Sequence, residues 1–386
     1  MAGIYFHIPF CSKACHYCNF HFSTSLHRKP EVLQAMLQQL QQRQLPTGVA
    51  LPTHISSIYF GGGTPSLLSA AELAQLLAAV RQQFAVSADA EITLEANPDD
   101  IDAARLEQWL ALGINRLSMG VQSFHDDDLR WMNRSHRASQ SLAAIHAARA
   151  AGFHNFSIDL IYGVPGMSME RWQHNVAQAM SLQVPHLSCY ALTVEEKTAL
   201  HHFVQKGKVA PIDDALQARH FEALMQWTAA QGYEHYEISN YALPGKRSRH
   251  NSSYWQGQPY WGIGPSAHSF DGQHTRWWNI ANNSEYIRLL QAGAPAYEVE
   301  VLSPVQRMNE TIMTLLRTSE GLPVNLEAQQ IGGYTYPAHQ WASAQNYLHE
   351  FMQNGWVTLQ RHLLQLTNSG KLYADHIASA LFASEE

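Results

Sequence analysis

The sequence has few charged residues, no long apolar run and no surplus of basic residues. Of its 386 residues 15% are charged, and 25 Lys and Arg against 32 Asp and Glu give a net charge of −7. This balance argues against a general nucleic-acid-binding protein. No apolar run approaches the ~20 residues of a membrane span, and the amino terminus lacks the pattern of a signal peptide. We therefore expect a soluble, cytoplasmic protein with no transmembrane segment, and peripheral contact with a membrane stays open.

Cysteine is scarce, with only four in the chain. Cys11, Cys15 and Cys18 fall within eight residues, and a cluster of three cannot form an even disulfide framework. In a reducing cytosol, clustered thiols are more often metal ligands than disulfides. Cys189 stands alone at the end of an apolar run, where we expect a small core residue.

Apolar runs of strand length alternate with segments of helical periodicity. In one such segment Leu73, Leu76 and Val80 follow the spacing of one buried helix face. Strands that alternate with helices predict βαβ units and a parallel sheet, so the expected fold class is α/β. Six units favour a partial or complete α/β barrel, with a doubly wound open sheet as the alternative. The predicted strands are 3–8, 55–60, 91–94, 116–121, 156–161 and 187–192.

Polar residues and glycines recur where these predicted strands end. The three clustered cysteines follow the first strand. The later strands bring Gly61 to Thr64, then Glu95 with Asn97, Gln122, Asp159 with Tyr162 and Gly163, and finally Thr193. Loops at the carboxyl ends of parallel strands open onto one rim, where the active sites of barrels form. The recurrence therefore favours one cofactor site at this rim.

The pattern changes near residue 300. Ser303, Pro304 and Gln306 form the start signal of a helix, and a second long helix and a predicted hairpin follow. Helices followed by a hairpin indicate a small α+β, winged-helix-like domain. Its four basic and seven acidic residues argue against DNA binding, which depends on phosphate neutralisation. We predict a barrel core over 1–240, an aromatic and His-rich segment over 241–302, and a C-terminal domain over 303–386.

The C-x3-C-x2-C spacing of the cysteines fits two kinds of metal site. Thiolates suit both iron–sulfur clusters and zinc, and His7, His16 or His21 could complete a zinc site, so spacing alone leaves both open. The glycine-rich turn at 61–64 favours the iron–sulfur cluster. Three thiolates leave one iron open to a small chelating ligand, and glycines let backbone approach that ligand closely.

The segment from Tyr5 to Cys11, the cysteine spacing and the turn Gly61-Gly62-Gly63-Thr64-Pro65-Ser66 together resemble the radical S-adenosylmethionine (SAM) superfamily, in its HemN/HemW branch. The resemblance implies a partial (β/α)6 barrel and a 4Fe–4S cluster on Cys11, Cys15 and Cys18 whose fourth iron chelates SAM. In this superfamily an electron from the cluster cleaves SAM to methionine and a 5′-deoxyadenosyl radical. The resemblance also implies that SAM is contacted by Tyr5, Tyr17, Gly62, Gly63, Thr64, Glu95, Gln122, Arg134 and Asp159.

A second motif, His250-Asn251-Ser252-Ser253-Tyr254-Trp255, resembles the H-N-x-x-Y-W motif of the heme chaperones in this branch. Imidazole is a common axial ligand of heme iron, so the resemblance implies His250 as a heme ligand. Aromatic residues could pack on the macrocycle and basic residues could pair with its propionates. The aromatic candidates are Tyr254, Trp255, Tyr260 and Trp261, and the basic ones are Lys246, Arg247 and Arg249.

Three functions remain open at this point. A heme chaperone would bind heme, the cluster and SAM and pass heme to client hemoproteins, with respiratory proteins at the membrane as a family-level expectation. An oxygen-independent coproporphyrinogen III dehydrogenase is the alternative. That branch carries a further cysteine one residue beyond the third cluster cysteine and a segment before the motif, whereas here Asn19 and Phe20 follow Cys18 and the motif begins at residue 11. A structural zinc protein is the third reading.

Overall fold

The structure is a computed structural model that describes residues 2–385. The described residues form two hydrophobic cores. The larger core extends along the chain from Ala2 to Ala296. The smaller core extends from Met308 to Ala383. Among the helices of residues 2–385, none combines the length and the apolar character that crossing a bilayer requires.

Six parallel strands form the centre of the larger unit and confirm the predicted α/β fold. Their carboxyl ends lie at one edge of the sheet, because all six run in the same direction. The third strand begins earlier than predicted and is joined to its neighbour across an irregular register. The strands are β1 Ala2–Ile8, β2 His54–Gly62, β3 Ala85–Ala96, β4 Arg116–Gln122, β5 Phe156–Tyr162 and β6 His186–Ala191.

Helices connect these strands and cover one side of the sheet. The helix after β2 begins with a capping box in which Ser69 and Glu72 each bond the other's backbone N–H. The helices are α1 Lys29–Gln42, α2 Ala70–Gln83, α3 Ala103–Ala111, α4 Asp126–Trp131, α5 Ala138–Ala150, α6 Met169–Ser181, α7 Ala199–Gln205 and α8 Asp214–Ala230. Short 3₁₀ turns lie at Pro65–Leu67 and Pro98–Asp100.

Further strands extend this sheet at both edges. The added elements are β7 Glu234–Glu237, β8 Asn240–Ala242, α9 Arg249–Trp255, β9 Tyr260–Ile263, β10 His268–Phe270, β11 Thr275–Asn279, α10 Asn283–Gln291 and β12 Tyr297–Val301. The complete order is β12-β11-β10-β9-β1-β2-β3-β4-β5-β6-β8-β7, with β9 parallel to β1 and β8 antiparallel to β6. The segment 241–302 therefore supplies β9 to β12 and most of β8, and it shares the larger core.

The two faces of the six parallel strands differ in polarity. On β1, Ile4, Phe6 and Ile8 are fully buried in the hydrophobic core. Successive side chains of a strand point to opposite faces, so the alternate residues share the other face, which we call the inner face. By this alternation the inner face carries Gly3, Tyr5, His7, Ser57, Tyr59, Gly61, Glu91, Thr93, Glu95, Arg116, Ser118, Gly120, Ser157, Asp159, His186 and Ser188.

The smaller core belongs to a C-terminal α+β unit, as the sequence predicted. Ser303 caps its first helix in a capping box with Gln306, and Pro304 occupies the first turn. The elements are α11 Pro304–Leu316, β13 Leu322–Asn325, β14 Gln330–Ile331, β15 Tyr334–Thr335, α12 Ala338–Gln353, β16 Val357–Gln360, β17 Leu363–Leu366, a 3₁₀ turn Gly370–Tyr373 and α13 Ala374–Ala380. The five strands form an antiparallel sheet in the order β15-β14-β13-β17-β16.

Candidate cofactor site

The three clustered cysteines lie on the loop between β1 and α1, which we call the cysteine loop. The backbone N–H of Cys11 donates to the carbonyl of Ser23 at 3.0 Å, and that of Ser23 donates to the carbonyl of Pro9 at 2.9 Å. The N–H of Cys18 donates to the carbonyl of Cys15 at 3.4 Å. All three residues are half-buried. The loop thus holds three accessible thiols at the carboxyl end of β1.

The glycine-rich turn after β2 packs directly against the cysteine loop. The N–H of Gly63 donates to the carbonyl of Ile8 at 2.9 Å, and that of Thr64 donates to the carbonyl of Phe10 at 2.7 Å. A Cβ atom on Gly63 would lie 2.5 Å from the Phe10 carbonyl oxygen, so no side chain fits there. Gly62 has a φ of +105°, which favours glycine. These glycines allow the two loops to approach backbone to backbone.

Arg134 connects the cysteine loop to the ends of two other strands. Its Nη1 atom donates to Cys15 Sγ at 3.3 Å. Its Nη2 atom donates to Asn97 Oδ1 at 2.7 Å and to the carbonyl of Gly120 at 2.9 Å. Its Nε atom is buried with no hydrogen-bond partner among the described residues. A buried cation with an unused donor fits a site that a polar ligand completes.

Two carboxyl groups of the inner face lie at the same rim. Burial raises the pKa of Glu95 to about 8, and the Asp159 carboxyl adds to this effect while a hydrogen bond from Tyr59 opposes it. Burial also raises the pKa of Asp159 to about 6, against the lowering influence of the nearby Ser188 hydroxyl and the Arg134 guanidinium. Removal from water disfavours the charged form of a carboxyl group. A cationic ligand between Glu95 and Asp159 would favour the charged form of both groups.

Two glycines on the inner face let polar side chains pack closely against the backbone. A Cβ atom on Gly61 would lie 3.0 Å from both Glu95 Oε1 and the Tyr5 ring. A Cβ atom on Gly120 would lie 3.0 Å from Arg134 Nη2 and 3.1 Å from the side-chain amide nitrogen of Gln122. Gln122 itself has a φ of +66°, a strained conformation of the kind that clusters at functional sites. The missing side chains at Gly61 and Gly120 therefore allow the Glu95 carboxyl and the Arg134 guanidinium to pack closely against the strands of the rim.

The arrangement of the thiols bears on the choice between a cluster and zinc. Among residues 2–385, no three His, Cys, Asp or Glu side chains converge as ligands of a single metal ion. A structural zinc site needs four ligands within about 2.3 Å of one point. In a cubane each thiolate binds a different iron, so its ligands stand farther apart. Burial raises the pKa of Cys11 to about 11, so iron binding would have to displace the thiol protons.

The structure gathers nine of the ten cofactor-binding residues that the sequence indicated, and it places the tenth elsewhere. His250 lies on α9, against Gly3 and Ser57 on the amino-terminal side of the sheet. The others lie around the cysteine loop, the glycine-rich turn and the neighbouring part of the inner face. They are Tyr5, Tyr17, Gly62, Gly63, Thr64, Glu95, Gln122, Arg134 and Asp159.

The imidazole of His250 is held against the inner face of β2. A hydrogen bond of 2.9 Å joins its Nδ1 atom to Ser57 Oγ. Its ring stacks on Tyr59, with 5.0 Å between the ring centroids. Burial lowers the pKa of His250 to about 4, so the ring is neutral at pH 7. Neutral imidazole is the form that binds metals.

A buried carboxylate fixes the helix that carries this histidine. Glu91, on the inner face of β3, accepts hydrogen bonds from the backbone N–H groups of Arg249 and His250 and from the Ser248 hydroxyl. Ser248 is also the N-cap residue of α9. The start of α9 is thereby attached to the amino-terminal side of the sheet.

Several residues that we considered as heme contacts have other roles in the structure. Trp261 is 1% exposed and packs edge-on against Phe84 in the larger core, so it offers no face to a ligand. Arg247 pairs with Glu234 and Glu320, and Arg249 pairs with Asp89.

The other aromatic candidates lie together near α9. Tyr254 contacts both Trp255 and Tyr260, with ring centroids 5.4 and 5.3 Å apart. The side chain of Tyr254 is 48% exposed, so a flat apolar surface remains beside the motif.

Sequence reasoning missed two residues that organise the site. Asn97 was noted only for its place after a strand, and it proves to hold Arg134. Tyr59 was not considered, although it donates a 2.8 Å hydrogen bond to Glu95 and stacks on His250. Tyr59 lies two residues from both Ser57 and Gly61 along β2, and this spacing could have indicated that it shares their inner face.

Comparison with known proteins defines the class. The sequence profile of the "Radical SAM superfamily" matches residues 5–178, and that of the "HemN C-terminal domain" matches residues 302–373. The structure of coproporphyrinogen III oxidase (HemN) from Escherichia coli, a radical SAM enzyme, superposes with a TM-score of 0.82 at 23% identity, over 99% of this chain and 90% of that one. The fold is therefore that of a radical SAM protein, which implies a 4Fe–4S cluster and SAM.

Relatives that match this chain over nearly their full length identify its family within the superfamily. The heme chaperone HemW of Bacillus subtilis is 32% identical over 98% of this chain and 99% of its own length. The heme chaperone HemW of Escherichia coli is 33% identical over 99% of this chain and 98% of its own length. The chain belongs to the HemW family within the HemN/HemW branch of the radical SAM superfamily.

Proposed function

We propose that this protein is a heme chaperone that binds heme together with a SAM-ligated 4Fe–4S cluster and delivers heme to client hemoproteins. The observation that carries the proposal is the H-N-x-x-Y-W motif on α9, whose His250 is neutral and held through Nδ1. Among the described residues nothing hydrogen-bonds its Nε2 atom, so no protein hydrogen bond would compete with iron for that nitrogen. Tyr254, one turn along α9, offers an exposed ring beside it. The names of the full-length relatives support the same function.

The cofactor residues are assigned within this proposal. Cys11, Cys15 and Cys18 would hold the cluster, which together with SAM supplies one-electron chemistry when bound. Glu95 and Asp159 suit the positive charges of SAM, and Arg134 suits its carboxylate. The remaining contacts would come from Tyr5, Tyr17, Gly62, Gly63, Thr64 and Gln122.

Replacing Glu95 by glutamine tests the SAM assignment through its pH dependence. SAM is cationic and favours the ionised carboxylate, whose pKa is about 8 in the cofactor-free protein. Wild-type affinity therefore gains from Glu95 ionisation as pH rises through 8, and E95Q lacks that gain. We expect the ratio of the E95Q Kd to the wild-type Kd to approach one at pH 6.5 and to reach about tenfold at pH 8.5.

Anaerobic calorimetry of cluster-loaded protein measures these constants. Taking the ratio at each pH removes the titration of the SAM amino group, which both proteins share. Glu107→Gln, an exposed position on α3, is the matched control and should keep the ratio near one throughout. A ratio for E95Q that does not change with pH contradicts the placement of SAM beside Glu95.

Heme titration tests the function itself. Loss of the axial imidazole in His250→Ala should weaken heme binding by about tenfold or more, equivalent to about 1.4 kcal/mol or more, and shift the Soret band. His274→Ala removes an exposed histidine of the same segment and should leave affinity and spectrum unchanged. Unchanged heme binding in H250A would eliminate His250 as the ligand. Conversion of coproporphyrinogen to protoporphyrinogen at a catalytic rate, with reduced cluster and SAM, would replace the chaperone assignment by the dehydrogenase one.

A further inference from the structure

The Tyr59 side chain contacts both His250 and Glu95. Its ring lies against the imidazole of His250, with 5.0 Å between the centroids and 29° between the planes. Its hydroxyl donates a 2.8 Å hydrogen bond to Glu95 Oε1. One tyrosine therefore touches the heme-ligand candidate with its ring and the rim carboxylate with its hydroxyl.

The surroundings of Tyr59 leave it little freedom. A Cβ atom on Gly61 would lie 2.8 Å from the Tyr59 ring and 3.0 Å from Glu95, so this ring and this carboxylate are packed at close quarters. Ser57, on the same strand, forms a 2.9 Å hydrogen bond through its Oγ atom with His250 Nδ1. Because closely packed side chains transmit displacement, a shift of the Tyr59 ring should also displace the His250 imidazole.

The hydroxyl of Tyr59 acts as a donor throughout the neutral pH range. Burial, reinforced by the Glu95 and Asp159 carboxylates, raises the pKa of Tyr59 well above its ordinary value. The strength of its hydrogen bond then depends on the acceptor. A charged carboxylate accepts a stronger hydrogen bond than a neutral one, and a cation beside Glu95 favours the charged form.

We propose that Tyr59 is a positioning residue through which SAM, bound beside Glu95, strengthens heme binding at His250. The inference rests on the proposed function, since it links the two ligands assigned there. With SAM beside it, ionised Glu95 would accept a stronger hydrogen bond from the Tyr59 hydroxyl, and the fixed ring would hold the His250 imidazole in place. Heme would then bind to a ligand that is already ordered. Linkage requires the converse as well, so heme must tighten SAM binding by the same factor.

The experiment is a heme titration of full-length, cluster-loaded protein with and without saturating SAM. In the wild type we expect SAM to lower the heme Kd about fivefold, and heme to lower the SAM Kd equally. Tyr59→Phe keeps the ring and removes only the hydroxyl, and it should reduce both factors to less than about twofold. Tyr336→Phe is the matched control, because it removes a buried hydroxyl that donates to the Leu381 carbonyl in the C-terminal unit. It should retain the wild-type factors.

The possible results distinguish the proposed coupling between SAM and heme from the proposed chaperone function. If heme binds through His250 but SAM leaves its affinity unchanged in the wild type, the coupling is overturned and the chaperone function stands. If Y59F keeps the full factor, Tyr59 is not the connection. If the wild type binds no heme, both proposals fall. Should Y59F not fold, Glu95→Gln tests the same hydrogen bond from its acceptor side and should also reduce the factor.

Discussion

Replacing Cys15 by alanine will abolish iron–sulfur assembly. The thiol is one of the three proposed cluster ligands on the cysteine loop and also accepts the Arg134 hydrogen bond at 3.3 Å. Two thiolates cannot retain a cubane that already lacks a fourth protein ligand. Iron and labile sulfide should fall from about four of each per chain to background in anaerobically reconstituted protein, and SAM binding should be lost with them.

The matched control for this change is Cys189→Ala. Cys189 is 1% exposed in β6, away from the cysteine loop, so its loss affects packing and leaves the cluster ligands intact. We expect the control to assemble a full complement of iron. Mössbauer spectra of C15A that still show a four-iron cubane would remove the basis of the cofactor assignment.

Replacing Gly63 by alanine will destabilise the protein and displace the cysteine loop. The added Cβ would lie 2.5 Å from the Phe10 carbonyl oxygen and 2.8 Å from that of Ile8, and both are backbone atoms that cannot rotate away. Forced overpacking of this kind costs about 3 kcal/mol. Urea unfolding monitored by circular dichroism should show that loss, and iron content should fall in parallel.

Gly48→Ala separates steric clash from the general cost of replacing glycine. Gly48 has a φ of +83° and no atom within 4 Å of an added Cβ, so only its left-handed backbone opposes alanine. That cost is about 1 kcal/mol. A Gly63→Ala protein as stable as Gly48→Ala, with its iron intact, would show that the two loops can separate without penalty.

The parallel strands could be predicted from the sequence because burial leaves a periodic pattern. Each strand places apolar residues such as Ile4 and Phe6 against the helices, and the polar residues between them mark the opposite face. The start of β3 could not be predicted, since residues 85–89 mix small apolar and polar side chains and are partly or fully exposed. Their pairing with β2 resumes beyond an irregular register.

The strands of the segment 241–302 escaped prediction for a different reason. β8 and β10 have three residues each, too few to show a period, and they are held by partners far away in the chain. The burial of Trp261 depends on the same distant packing. The pairing of Arg249 with Asp89 likewise joins residues that no local pattern relates.

The proposed cofactor residues were indicated by motifs rather than by a pattern of burial. Thiols and glycines at fixed spacing carry a chemical signature, whereas the role of Tyr59 depends on which side chains lie across the inner face from it. Alternation places Tyr59 on that face, but only the three-dimensional structure shows that its hydroxyl reaches Glu95.

The attachment of α9 to the amino-terminal side of the sheet has a kinetic consequence. The cysteine loop lies at the opposite, carboxyl-terminal side, so heme on His250 and SAM at the cluster would bind at opposite ends of the same strands. With such an arrangement we expect the two ligands to bind in random order. Heme could then be released to a client while SAM remains bound.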